Sequence, residues 1–78
     1  MTTNTQLDPL QTFKQRFEEI KNSNIDDYLK SVRFAALMTD MEHVYSIPLI
    51  GTERITAFKR AYPEVMSLYR TVSHERRL

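Results

Sequence analysis

The sequence contains no cysteine, one glycine and three prolines in 78 residues. Without cysteine there is no thiol chemistry, no disulfide staple and no Cys-ligated structural zinc. A single glycine excludes the Gly-rich loops that cradle phosphates or dinucleotides. Charge of one sign is not in excess either. Lys and Arg number 11, Asp and Glu 10, for a net charge of +1, whereas nucleic-acid-binding domains usually carry a clear basic surplus. Long hydrophobic runs are missing too. The longest stretch without a charge, Val44 to Thr52, is far too short to span a bilayer. Met1 to Gln6 is polar and Thr-rich, with no basic start and no apolar core, so no signal peptide and a cytoplasmic location are expected.

What is present is ordinary in amount: 41% hydrophobic and 27% charged residues, near the globular average. A chain of this size buries little more than about 60% of its unfolded surface, so its core is marginal. Such chains gain burial by pairing with themselves or with a partner. The expected organisation is a flexible N-terminus over residues 1–7 and one helical domain over 8–78.

The pattern predicts an all-α bundle of three to four helices, near 8–22, 25–45, 52–61 and 63–76. Asp8-Pro9-Leu10-Gln11 has an N-cap acceptor, a proline at the first helical position and Gln at N3 of a capping box. Leu10, Phe13, Phe17 and Ile20 then recur at helical spacing. The second helix should begin near Ser23 or Asn24. Its first half presents Ile25, Tyr28, Leu29 and Val32, and its second half presents Phe34, Leu37, Met38, Met41, Val44 and Tyr45. At about 100° per residue these two faces point in nearly opposite directions. Such a helix either bends at Ala35-Ala36 or is covered from different sides along its length. Pro48 and Gly51 break the pattern, and the apolar Ile47, Leu49 and Ile50 between them suggest a connector pressed onto the core. Thr52 is the expected N-cap of the third helix, and Pro63 the first residue of the fourth. The predicted core is Leu10, Phe13, Phe17, Ile20, Leu29, Val32, Ala36, Leu37, Met41, Phe58, Val65, Tyr69 and Val72.

Charge is distributed unevenly. Residues 23–50 carry a net −2 and residues 51–78 a net +3. Arg70, His74 and Arg77 follow an i, i+4, i+7 spacing, with Lys59 and Arg60 just upstream. This stripe, on a helix pair over 52–77 that mimics a helix-turn-helix, is a candidate for phosphate contacts. Its plainer explanation is that cations are favoured near helix C-termini, and the turn lacks the glycine common in such motifs. Asp40 and His43 sit i, i+3 beside Glu42, but a catalytic zinc needs three protein ligands and no established spacing is present. Glu18-Glu19 and Asp26-Asp27 are adjacent pairs. Neighbours on a helix do not face each other, and Asp26-Asp27 reads as helix-start chemistry. No serine lies in a nucleophile-elbow motif. An enzyme is therefore the least expected class, and no cofactor, metal or small-molecule substrate is implied.

The function expected from the sequence is protein–protein binding by a small helical regulatory protein, as a homodimer or with another protein. Its interface would be the large apolar face of Phe34, Leu37, Met38, Met41 and Tyr45, because aromatic and Met side chains favour partner surfaces. The alternative is nucleic-acid binding through Lys59, Arg60, Arg70, His74 and Arg77.

Overall fold

The computed structural model describes residues 8–76, which form four helices and no strand: α1 (Pro9–Lys21), α2 (Asp27–Tyr45), α3 (Thr52–Ala61) and α4 (Pro63–Glu75). The all-α bundle expected from periodicity is what the chain forms. Residues 1–7, expected to be flexible, lie outside the described residues, as does Arg77.

Local chemistry accounts for each helix boundary. The Leu10 amide donates to Asp8 Oδ1 at 3.1 Å, and Pro9 opens α1 where its missing N–H costs nothing. α2 starts later than Ser23-Asn24 would place it. Asp26 is the cap, accepting from the Leu29 amide at 2.8 Å, whereas the Ser23 hydroxyl is taken up by the Ile20 carbonyl at the end of α1. Ser46 ends α2 in the left-handed region, at φ 53°, a conformation that favours glycine. Gly51, with φ 94°, holds the N-cap position of α3, and Thr52 is the first helical residue instead of its cap. Only Tyr62 separates α3 from α4. Its amide donates to the Phe58 carbonyl at 2.8 Å, and its own carbonyl accepts from Met66 at 3.0 Å.

α2 is the central element and packs against both α1 and α4, while α3 packs against α4 and no other helix. The core joins Leu10, Phe13 and Phe17 of α1, Phe34, Leu37, Met38 and Met41 of α2, Ile47 of the connector, Phe58 of α3, and Val65, Met66 and Val72 of α4. Phe17 and Phe34 lie 5.6 Å apart by ring centroid, and Phe13 and Tyr45 6.0 Å. These tilted aromatic contacts help fix how α1 sits on α2. An Arg16–Asp40 ion pair at 2.8 Å bridges the same two helices at the surface. At the other end, the Ser31 hydroxyl donates to the Arg76 carbonyl at 2.7 Å, tying α4 to α2.

The molecule measures 42 × 37 × 16 Å along its principal axes. Helices pack with axes about 8–10 Å apart, so the thin dimension holds two helix layers. A two-layer slab can cover each helix from one side only. The connector shows the same shortage of cover. Ile47 is buried, but Leu49 and Ile50 are exposed, so it is not pressed onto the core along its length.

Candidate functional site

α2 carries apolar side chains on two sides, and the fold buries one of them. Phe34, Leu37, Met38 and Met41 are buried, Leu37 completely, and Tyr45 is half-buried against the same core. These are the five residues expected to form a partner interface, so that assignment is corrected: their apolar surface is covered within the chain. α1 and α4 supply the matching Phe13, Phe17, Val65, Met66 and Val72, and the face holding the larger side chains wins the core because it removes more apolar area from water.

The opposite side of the helix is left uncovered. Tyr28 is 67% exposed, Leu29 41% and Val32 47%, and Ala36 one turn further on is also exposed. Leu29, Val32 and Ala36 were expected in the core and are instead on the surface. They lie about 160° around the helix from the buried face at 100° per residue. α2 does not need to bend to satisfy both halves of its pattern. It runs as one helix over 19 residues, buried along one side and apolar along the start of the other. Arg33 flanks this outer surface, and Asp26 caps its beginning. Single exposed apolar residues are commonplace, but adjacent ones on one helix face mark interaction surfaces.

The basic residues are partly brought together. Lys59, Arg70 and His74 line one open cleft of about 480 Å³ between α3 and α4, together with Pro63 and Met66. Arg60 is exposed but is not among the lining residues. A neighbouring cleft adds Ile47, Pro48, Leu49 and Ile55 beside the same Arg70 and His74. The surface is thus an apolar groove with a cationic rim. The hinge between the two helices is a single residue, shorter than the three- to four-residue turn of a helix-turn-helix.

The acidic residues near His43 have structural partners. Asp40 pairs with Arg16, and Glu42 accepts a hydrogen bond from the Tyr69 hydroxyl. Among the described residues no three metal-ligating side chains converge. Burial raises the Tyr69 phenol well above its ordinary value. The hydrogen bond to Glu42 and that carboxylate's charge push the same way, and Arg76 pulls against them. The Tyr45 phenol is raised as well, chiefly by burial and secondly by the charge of Asp8. Its hydroxyl is buried without a hydrogen-bond partner among the described residues.

The outer face of α2 was legible as a pattern, since the opposed halves of the helix stand in the sequence. The signal that would have assigned it was side-chain size: the half with Phe, Leu and two Met outweighs the half with Tyr, Leu and Val. Among the described residues no helix is long and apolar enough to cross a membrane. Comparisons with protein-family models, with curated proteins and with solved structures find no match to this chain.

Proposed function

We propose that this protein acts by binding another protein chain through the outer face of α2. The observation that supports this reading is the set of exposed apolar side chains Tyr28, Leu29 and Val32 on a helix whose other side already forms the core. Apolar area of this kind costs free energy in water, about 25 cal/mol per Å², and covering it with a partner recovers that cost. Polar chemistry does not compete for the site, as the nearby titratable groups are surface charges and a helix cap.

A photo-crosslinking residue placed at Val32 tests the reading in living cells, with the same residue at the exposed Glu19 of α1 as control. The expected result is a protein adduct from position 32 that the control lacks. Equal yields from both positions would refute it.

A second reading has one observation in its favour. Lys59, Arg70 and His74 share a cleft, as nucleic-acid binding by the α3–α4 pair requires. Replacing Arg70 and Arg77 together by Ala would then abolish duplex binding, and the affinity of the unaltered protein would fall steeply with salt. Association through an apolar face changes little with salt.

A further inference from the structure

We propose that the occupant of the α2 outer face is a second copy of this chain, lying antiparallel across a two-fold axis. The proposal rests on the preceding reading of that face and names its partner.

The first argument is spacing. Leu29, Val32 and Ala36 are separated by three and then four residues, the interval of a seam between two helices. In an antiparallel pairing centred between Lys30 and Ser31, Leu29 meets the partner's Val32, and Val32 meets the partner's Leu29. The small Ala36 then faces the start of the partner's helix, where Ile25 is half-buried ahead of the cap. A large residue thus opposes a small one at each end of the seam. Tyr28 stands at its edge, where the ring covers apolar surface and the hydroxyl stays in water.

The second argument is charge. The same register sets Asp26 of each copy beside the partner's Arg33, so one arrangement makes two opposite-charge contacts related by symmetry. Arg33 is exposed and takes part in no ion pair among the described residues. Asp26 uses one carboxylate oxygen to cap α2, which leaves the other for the partner. A parallel pairing would instead place Arg33 beside the partner's Tyr28 and leave both Asp26 carboxylates without a cation. The face is therefore complementary to itself in one orientation, which is what an isologous interface requires. The contact spans only three turns of α2, so it falls below the roughly 1,600 Å² of a standard interface. The dimer is accordingly reversible.

Sedimentation equilibrium of the full chain from about 10 μM to 1 mM tests this, across the affinity range in which such small interfaces dissociate. Four samples extend it: Val32→Asp, Arg33→Glu, Asp26→Lys, and an equimolar mixture of the last two. Circular dichroism establishes that each variant stays helical. The unaltered chain should dimerise, and Val32→Asp should weaken the dimer at least about tenfold. Arg33→Glu and Asp26→Lys alone place like charges across both contacts, and each should weaken it several-fold. Mixing them should restore affinity, because every introduced charge then meets its opposite. The loss of the Asp26 cap cannot mimic this, since a weakened helix is not repaired by a second variant. A chain that stays monomeric at 1 mM overturns the proposal. So does a dimer that ignores the charge exchange. A cellular adduct from position 32 that contains only a different protein also overturns it while leaving the protein-binding reading intact, whereas failure of that reading is marked by the absence of any adduct.

Discussion

Leu37 and Leu29 are the same residue type on the same helix, eight positions apart, and the fold treats them in opposite ways. Leu37 is fully buried, whereas Leu29 is 41% exposed. Replacing each by Ala removes the same atoms. At Leu37 the loss includes a cavity walled by α1 and α4, and such substitutions cost about 3–4 kcal/mol. At Leu29 water enters the space and no cavity remains. About three carbons at 0.8 kcal/mol each, scaled to the buried fraction, come to roughly 1.4 kcal/mol. The better helix propensity of Ala returns a few tenths, leaving about 1 kcal/mol. For a domain of this length each kcal/mol moves Tm by about 4–8 °C. Leu37→Ala should therefore lower Tm by about 12–30 °C and Leu29→Ala by about 4–8 °C. The comparison is read by thermal melts at 222 nm and low micromolar concentration, where self-association adds no stability. Total stability for 78 residues is about 4–12 kcal/mol, so Leu37→Ala consumes a large share of it. Equal shifts from the two substitutions would refute the assignment of inner and outer faces.

Two further outcomes follow from the buried phenols. Tyr45 holds a hydroxyl with no hydrogen-bond partner among the described residues, and such a group costs about 1–3 kcal/mol. Tyr45→Phe should therefore raise stability, by about 1 kcal/mol in urea titrations, and a loss of stability would mean the hydroxyl is satisfied after all. Tyr69 has its phenol raised by burial and by Glu42. A folded value above the unfolded value of about 10 means the contribution is complete below pH 10 and is lost as pH rises through the folded value. Alkaline unfolding should be less steep in Tyr69→Phe than in the unaltered protein, and identical base titrations of the two would contradict the account.

Helix existence and type were legible because they depend on neighbours in the chain. Asp8-Pro9 and Pro63 act within one turn, and the α1 and α4 boundaries match their signals to within a residue. The start of α2 was less legible. Ser23, Asn24 and Asp26 can all cap, and the choice depends on which side chain reaches an amide. Phe34, Met38, Ile47 and Met66 belong to the core but were not assigned to it, while Leu29, Val32 and Ala36 were assigned to it and are exposed. On α2, the missed Phe34 and Met38 and the misassigned Leu29, Val32 and Ala36 share one cause. α2 is apolar on two sides, and periodicity marks an apolar face without saying whether anything covers it. The basic stripe shows the same limit: Lys59, Arg70 and His74 meet at a cleft only because Tyr62 folds α3 back beside α4.

The sequence by itself determined an all-helical chain, the starts of its first and last helices at Asp8-Pro9 and Pro63, and the presence of two opposed apolar faces on the second helix. These are local matters of hydrogen bonding, backbone preference and spacing. Tertiary structure alone decided which face became the interior. A slab 16 Å thick has room to cover α2 once, and the side with Phe34, Leu37, Met38 and Met41 takes that cover because it removes the most apolar surface from water. Tyr28, Leu29 and Val32 remain outside for the same reason.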